Sequence, residues 1–479
     1  MSFFSSTLEK VSFNKMIIVS NGFNKFHLAP AASELERRGL LSAFLTGAYP
    51  TKRVKVYLTS HNLAENRKIA RFLARREPIS EALIFSDGVS ESLHALGRQL
   101  QRWQLTHVLG SWIHRQSYRC YGWRAQEAVR QGIGNGATLY HYRGGFGFGS
   151  VEYAKRHGLL TLCDYSIAHP AVMANNSDLE STFGGGTKNI SRLWQRILRD
   201  SEQADAVLVN SEYVRQTFLQ QGWEPSRVHV IYLGVDDAFI DGIANDQTRT
   251  QRSEAGSRLR IVFAGGFELR KGARVLSAAM EQLLSDKTLD FEFHMAGGIS
   301  LDAQEMLAAL RGRSRVFHHG ILSRQELAAL LLSADIFVFP SLAEGSARVV
   351  FEALACGCYV ITTPNSGSIV EDGVHGCLVP AGDAEALAAA VRRTVSLGRE
   401  SLRVVGEQNA RIVREQYRQS QYGDRLVALY ARLLGINLSE SCAAPFSTAK
   451  GPSTSPLTID IDHSARKLVT APPQWGAHG

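Results

Sequence analysis

Apolar runs typical of buried strands alternate with helical patterns along most of the chain. The first run, MIIVS at residues 16–20, is followed by a loop, NGFNKF, and by a helical pattern from His27 to Arg38 that ends at Gly39. Strands separated by helices predict a doubly wound α/β domain with a parallel sheet. The later strand patterns of this half are TLYHY (138–142), LLTLCDY (159–165), AVLVN (206–210) and VHVIYL (228–233).

A second alternating series begins at residue 259 and predicts a second domain of the same class. Because ligands of parallel sheets bind beyond the carboxyl ends of the strands, two such domains facing each other predict a cleft between them. The strand patterns are LRIVFAG (259–265), FEFHMAG (291–297), RVFHHG (315–320), DIFVFP (335–340), CYVITT (358–363) and GCLVP (376–380). The helical patterns are 273–284, 302–310, 324–332, 384–394, 401–416 and 421–434.

Changes of composition give the expected domain boundaries. The chain of 479 residues, 44% of them hydrophobic, is long enough for two cores. The polar stretch NDQTRTQRSEAGS predicts a linker, and the end of the chain has too little apolar periodicity to fold alone. We therefore expect an extension (1–15), a first Rossmann-like domain (16–240), a linker (241–258), a second Rossmann-like domain (259–400), C-terminal helices (401–439) and a disordered tail (440–479).

Most of the positive charge lies in the first half. Residues 51–135 contain fourteen Lys and Arg against six Asp and Glu, so this region alone matches the net charge of +8 of the whole chain. Its aromatic residues alternate with arginines, a pattern that suits a helix on an anionic membrane surface as well as an ordinary amphipathic helix with solvated arginines. Since no zinc-finger, helix-turn-helix or RNA-binding signature accompanies the charge, we expect no nucleic-acid partner. The residues concerned are Trp103, Trp112, Tyr118, Tyr121 and Trp123 with Arg102, Arg115, Arg119 and Arg124.

Cysteine spacing and hydropathy concern the compartment. The six cysteines are dispersed, which argues against a disulfide framework or a zinc site and favours reduced, packed thiols. No run is long and apolar enough for a membrane span, and the first residues lack a leader pattern. The expectation is a cytoplasmic protein, with peripheral attachment to the inner face of a membrane as a further hypothesis.

The segment PSLAEGSARVVFEALACG, residues 340–357, carries the candidate chemistry. A strand runs into a loop with Glu344 and Gly345, and a helix then begins near Ser346 or Ala347 and contains Glu352. A helix N-terminus beside a glycine is a ready site for phosphate. Because Glu344 and Glu352 are eight residues apart, we expect one carboxylate to reach a sugar and the other a ribose. The alternative for Glu352 is an i,i+4 partner of Arg348 on an exposed face.

This segment resembles the donor-binding signature of the retaining glycosyltransferases of family four. The E-x7-E spacing from Glu344 to Glu352 is that family's hallmark, and EGSA followed by TPNxGS resembles one of its subgroups. The resemblance extends from about residue 16 to residue 434. It implies the GT-B fold, in which two Rossmann-like domains face each other across the active site.

The resemblance also assigns roles to residues. Glu344 would be catalytic together with His169, which stands where related enzymes place a histidine near the reacting sugar carbon. Gly345, Ser346, Ala347 and Glu352 would bind the donor. In FAGGFELRKG, Lys271 would contact the donor diphosphate, and Arg270 would replace the arginine that many members carry where this chain has Gly266. Gly22 would allow close approach to the donor from the first domain.

The function implied is that of a retaining hexosyltransferase (EC 2.4). It would move a sugar from a nucleotide-diphosphate sugar to an acceptor hydroxyl, in the synthesis of a glycan, polysaccharide or glycolipid. The nucleotide sugar is a co-substrate, and neither a metal nor a cofactor is expected, consistent with the lack of a suitably placed DxD motif. The expected partners are the donor, a glycan or lipid-linked acceptor and an anionic membrane. The alternatives are a nucleotide-sugar epimerase of the same fold and a non-catalytic nucleotide-sugar binder.

Overall fold

The computed structural model describes residues 16–24, 27–174, 192–244, 258–308 and 310–436. The predicted extension, residues 245–257 of the predicted linker and the predicted tail lie outside these residues. Two parallel sheets lie in the described part, both in one compact unit that ends at Gly435.

The first sheet has seven strands in the order β3-β2-β1-β4-β5-β6-β7, all paired in parallel. The strands are β1 Ile17–Ser20, β2 Leu41–Thr46, β3 Ile84–Ser86, β4 Leu139–Arg143, β5 Leu160–Tyr165, β6 Ala206–Val209 and β7 Val228–Val230. The described helices of this half are α1 Leu28–Arg37, α2 Lys52–Ser60, α3 Arg67–Leu73, α4 Gly88–Leu100, α5 His107–Gly134, α6 Ser150–Arg156, α7 Pro170–Ala174, α8 Arg192–Gln203, α9 Glu212–Leu219 and α10 Asp237–Ala244.

The second sheet has six parallel strands in the order β10-β9-β8-β11-β12-β13. The strands are β8 Leu259–Ala264, β9 Phe291–Ala296, β10 Val316–His318, β11 Ile336–Phe339, β12 Tyr359–Thr362 and β13 Gly376–Leu378. The described helices are α11 Ala273–Ser285, α12 Gln304–Ala308, α13 Arg324–Ser333, α14 Arg348–Ala355, α15 Ala384–Ser396, α16 Gly398–Gln416 and α17 Gln419–Leu434.

The predicted fold class is confirmed: each sheet is doubly wound. Most central strands are buried along their whole length, as expected for a sheet with helices on its faces. The strand order reverses between β1 and β4 and between β8 and β11, and a crevice opens at such switch points beyond the carboxyl ends of the strands.

Two features differ from or add to the sequence prediction. Strands β2 and β3 extend the first sheet beyond the predicted strands. Residues 241–244, predicted as the start of the linker, form the last part of α10, because apolar Ile240 and Ile243 of this helix are buried.

The last helix, α17, contacts the first domain, although it follows the second in sequence. The Arg38 guanidinium of α1 lies 2.5 Å from the Asp424 carboxylate, and the Tyr430 hydroxyl lies 2.8 Å from Nδ1 of His141 in β4. None of the described helices is both long and apolar enough to cross a bilayer.

Candidate active site

Glu344 lies in the loop between β11 and α14, beyond the carboxyl end of a central strand. Its Oε1 is 2.7 Å from Nη1 of Arg270, and the two side chains are only 15% and 18% exposed. The Glu344 N–H donates to the Asn365 carbonyl at 2.9 Å. The carboxylate is therefore held by a cation while the backbone fixes its loop.

Arg270 and Lys271 come from the turn that follows β8, the strand beside β11. Arg270 also donates to the Ala343 carbonyl at 3.0 Å and to Glu268 Oε1 at 2.7 Å. The Lys271 ammonium lies 3.5 Å from the point where a Cβ on Gly265 would stand. The fold thus brings Arg270, Lys271 and Glu344 together at one edge of the second sheet, where they form one corner.

Gly272 allows this turn to approach the loop after β11. Its φ is +81°, and a Cβ added there would stand 2.0 Å from the Pro340 carbonyl oxygen. Gly266, by contrast, is not sterically required: the nearest atom to an added Cβ is the Glu268 carboxyl carbon at 3.8 Å. The site therefore has room at residue 266, where many family members carry an arginine.

The helix N-terminus is less open than the sequence suggested. Helix α14 begins at Arg348, and the N–H of its preceding residue, Ala347, donates to the Ser366 carbonyl at 2.9 Å. This amide is thus already used by the Pro364–Ser366 turn and is not available to phosphate. Ser346 precedes it in the loop, and the Gly345 carbonyl accepts a hydrogen bond from the Ser211 hydroxyl of the first domain.

Gly345 also lies directly against the first domain. A Cβ added there would stand 1.8 Å from the Ser166 carbonyl oxygen and 2.7 Å from the Asn210 amide nitrogen, both in the first domain. Only glycine fits at this position in the observed arrangement. The loop that carries Glu344 is therefore positioned by both domains.

Glu352 is buried in α14, and the exposed-face alternative with Arg348 is not what the structure has. Burial raises the pKa of its carboxyl, and the positive charges of Arg324 and Arg348 partly oppose this. Its nearest cation is Arg324 of α13, with Nη2 3.8 Å from Oε1. Arg324 in turn pairs with Asp236 of the first domain at 3.1 Å, so Glu352 belongs to a cluster that spans the domains.

Gly22 and His169 lie in the first domain. The Gly22 N–H donates to the Tyr121 hydroxyl at 2.8 Å, and its φ of +77° and the Phe146 ring, 2.7 Å from an added Cβ, both require glycine. His169 is buried, and burial lowers the pKa of its imidazole to about 4, so the ring is neutral at neutral pH.

The contacts of His169 are local to the first domain. Its backbone N–H donates to the Thr217 hydroxyl, and its ring Nδ1 accepts from the backbone N–H of Ala171 at 3.2 Å. Its ring packs against Phe218 edge to face, with the ring centroids 5.1 Å apart. These contacts give it a packing role and do not join it to Glu344, Arg270 and Lys271.

A buried carboxylate lies beside two histidines, and the sequence patterns did not predict this cluster. Asp164, in β5, lies 2.7 Å from Nε2 of His27 and 3.4 Å from Nε2 of His141. Burial acts to raise the pKa of Asp164, but the two histidines outweigh it and lower the pKa to about 2. The sequence did contain a signal for this cluster, namely an acidic residue near the end of β5 and a histidine in β4. Neighbouring parallel strands bring residues at such positions together.

Asp164 lines a cavity of about 540 Å³ beyond the carboxyl ends of β4 and β5. Ser166, whose carbonyl borders Gly345, lines the same cavity. The first domain therefore has a cavity that adjoins the loop of Glu344.

Two segments of the chain match glycosyltransferase family models. Residues 258–396 match the model described as glycosyl transferases group 1, and residues 170–239 match that of glycosyltransferase family 4. The first includes Arg270, Lys271, Glu344 and Glu352, and the second begins directly after His169.

Curated relatives are similar over parts of their length. The D-inositol 3-phosphate glycosyltransferase of Arthrobacter sp. (strain FB24) is 31% identical over 153 residues, which is 30% of this chain and 36% of the relative. The amylovoran biosynthesis glycosyltransferase AmsK of Erwinia amylovora is 32% identical over 256 residues, 51% of this chain and 53% of the relative. The chain thus spans about half or less of the length of these relatives.

A solved structure shows the same architecture over nearly the whole chain. The crystal structure of Anabaena Alr3699/HepE in complex with UDP and glucose superposes with a TM-score of 0.53, covering 87% of this chain and 100% of that one at 15% identity. At this identity the likeness shows the fold alone, which is GT-B. The chain accordingly has the GT-B fold, and it is similar to glycosyl transferases group 1 over residues 258–396 and to glycosyltransferase family 4 over residues 170–239.

Proposed function

We propose that this protein transfers a sugar from a nucleoside diphosphate sugar to an acceptor hydroxyl, with retention of the anomeric configuration. The observation that carries the proposal is the corner formed by Glu344, Arg270 and Lys271 beyond β8 and β11. Such a donor has a sugar and a diphosphate. The carboxylate would accept hydrogen bonds from the sugar, and the neighbouring cations would bind the diphosphate. The partial similarity to named glycosyltransferases supports this assignment.

The chemistry follows from where charge develops. As the bond between the anomeric carbon and the diphosphate breaks, negative charge grows on the phosphate, and Lys271 with Arg270 stabilises it from fixed positions. Glu344 accepts hydrogen bonds from the sugar hydroxyls, and Glu352 accepts them from the ribose. The departing phosphate takes the acceptor proton on the same face of the sugar, so these residues work without a metal or cofactor.

A donor screen tests the proposal. Thermal shifts are measured with UDP-, GDP- and ADP-sugars, and transfer is then measured with the donor that binds. We expect Lys271→Gln to abolish the shift and Lys287→Gln, an exposed lysine after α11, to preserve it. A sugar isomer formed without acceptor would instead indicate the epimerase, and donor binding with neither transfer nor hydrolysis would indicate a non-catalytic binder.

We further propose that the acceptor is glycan or lipid-linked and that the protein meets it at the inner face of an anionic membrane. Five large apolar side chains around the start of α5 are more than half exposed, in a region rich in arginine; they are Trp103, Leu105, Val108, Leu109 and Trp112. Exposed aromatic and aliphatic groups among arginines suit the boundary between headgroups and acyl chains.

Vesicle sedimentation tests this attachment. We expect binding to vesicles with anionic lipid, weakening as salt rises, and little binding to neutral vesicles. The Trp103→Ser/Trp112→Ser double variant should bind much less. If the wild-type protein stays in the supernatant at low salt, the attachment is refuted.

A further inference from the structure

A basic concave site lies in the first domain, between α4, α5 and the loop after β4. It consists of two adjoining cavities of about 680 and 540 Å³ that share Asn24, His94 and Arg98. None of the residues predicted from the sequence to bind the donor lines either cavity. The site therefore has space for a ligand other than the donor.

Close helix packing builds the site. Helices α4 and α5 cross at Gly97 and Gly110, where a Cβ on Gly97 would stand 2.9 Å from the Gly110 carbonyl oxygen and 2.7 Å from the His114 nitrogen. Because the backbones meet there, Arg98 of α4 and His114 of α5 are held at the wall of one cavity.

Several cations converge on this wall. Arg98 and Arg102 line the larger cavity, and Arg98 and Arg143 line the smaller one. Burial lowers the pKa of His94 to about 4, and the positive charges of His114, Arg98, Arg143 and Arg196 add to the effect.

The carboxylates that line the cavities are already engaged. Glu91 pairs with Arg75 at 2.8 Å and accepts from the Ala48 N–H, and Asp164 is held by His27 at 2.7 Å. In the part of the chain that the structure describes, no carboxylate forms an ion pair with Arg98, Arg102 or Arg196. Like charges gathered in a concave site favour binding of an anion.

The site also adjoins the corner formed by Arg270, Lys271 and Glu344. The smaller cavity is lined by Ser166, and the Ser166 carbonyl borders Gly345, the residue after Glu344. A ligand anchored at Arg98 can therefore extend toward the loop where the sugar is transferred.

We propose that this site binds a phosphate group of the acceptor. Arg98 and Arg102 would donate hydrogen bonds to the phosphate oxygens, since guanidinium groups match phosphate in charge and geometry. His114 and His94 would line the space beside it. This inference rests on the proposed function and adds the class of acceptor: one with a phosphate or diphosphate near the hydroxyl that receives the sugar.

A binding experiment tests the site without any turnover. The melting temperature is measured in sodium phosphate and in sodium chloride of equal ionic strength, for the wild type, Arg98→Gln/Arg102→Gln, Lys271→Gln and Arg156→Gln. Arg156 is an exposed arginine at the end of α6 and is the matched control. Both cavity arginines are exposed, so the double variant should keep its fold.

We expect phosphate to stabilise the wild type, the Lys271→Gln variant and the Arg156→Gln variant, and to stabilise the double variant clearly less, by no more than binding at Arg270 and Lys271 contributes. No stabilisation of the wild type would overturn the site. Stabilisation as large in the double variant as in the wild type, or stabilisation that Lys271→Gln alone removes, would place the phosphate elsewhere and would also overturn it.

An activity experiment identifies the source of the phosphate. With the donor found in the screen, transfer is measured to soluble sugar phosphates, to lipid-linked sugar diphosphates in vesicles and to the corresponding unphosphorylated sugars. The double variant should lower kcat/KM for phosphorylated acceptors by about 10- to 100-fold. Use of soluble or of lipid-linked acceptors supports the site in either case and tells the two sources apart.

Equal kcat/KM for phosphorylated and unphosphorylated acceptors would overturn the inference while transfer itself stands. If the wild type transfers no sugar at all but phosphate binding still depends on Arg98 and Arg102, the proposed function fails and the anion site remains.

Discussion

Glu344 illustrates how a single residue acquires its setting from two parts of the chain. Its carboxylate is paired with Arg270, 74 residues earlier in sequence, and its backbone is tied to Asn365. The ion pair is partly buried, so the carboxylate is held beside Arg270 before the proposed donor binds. Such preorganisation is what electrostatic catalysis requires.

Replacing Glu344 with alanine should reduce transfer much more than stability. We expect kcat to fall by about 100- to 1,000-fold, because a hydrogen-bond acceptor for the sugar is lost in the transition state. The loss of unfolding free energy should be about 1 kcal/mol, since Arg270 keeps Glu268 as a partner. Turnover of the assigned donor at the wild-type rate would contradict the role.

His169 should make stability depend on pH. The pKa of this buried imidazole is about 4 in the folded protein, against 6.5 for an ordinary histidine. Between these values the unfolded chain binds more protons, so the unfolding free energy decreases as pH falls from 6.5 toward 4, by about 1–3 kcal/mol from this residue. In His169→Gln this part of the slope should disappear in urea titrations, whereas His61→Gln, on the exposed end of α2, should leave it in place.

At the scale of elements, short turns decide the geometry of the corner formed by Arg270, Lys271 and Glu344. The turn after β8 and the loop after β11 come from neighbouring strands, and they touch at Gly272 and Pro340. Gly266, six residues earlier, has no such constraint. Two glycines of one turn therefore have different physical reasons for being there.

Alanine at the two glycines should separate these reasons. In Gly272→Ala the new Cβ meets the Pro340 carbonyl at 2.0 Å and the φ of +81° is unfavourable, so we expect a loss of about 3 kcal/mol or more. Gly266→Ala should change the unfolding free energy by about 0.5 kcal/mol or less. Thermal or urea unfolding of both variants provides the comparison, and equal stability of the two would show that the turn relaxes without cost.

At the scale of the whole molecule, the two domains contact each other through polar groups and through apolar side chains of one shared cluster. Gly345 lies against Ser166, Arg324 pairs with Asp236, and α17 of the C-terminal region binds β4 through Tyr430. The contacts of Gly345 place the loop of Glu344 against the first domain. In the proposed reaction, closure of the two domains around this loop would align the reactants and exclude water from the donor.

Gly345→Ala should therefore impair closure without unfolding either domain. Its Cβ would clash with the Ser166 carbonyl of the other domain, so we expect lower kcat and a larger radius of gyration in X-ray scattering. Gly242→Ala, which has no atom within 4 Å of its added Cβ, is the control and should leave both quantities unchanged. A compact variant with normal kcat would show that closure does not depend on this contact.

The sequence by itself determined the two parallel α/β domains and the loop of Glu344, because strand periodicity and helix boundaries are local properties of the chain. Strands β2 and β3 were not predicted. For β3 the reason is that it is short and half-exposed and therefore gives little periodic signal. Only the tertiary structure decided which side chains meet. It paired Glu344 with Arg270, buried Glu352 beside Arg324, engaged the amide of Ala347 and gathered Arg98, Arg102 and His94 around one cavity. These contacts join residues far apart in sequence, and they depend on strand order and helix packing, which no local pattern encodes.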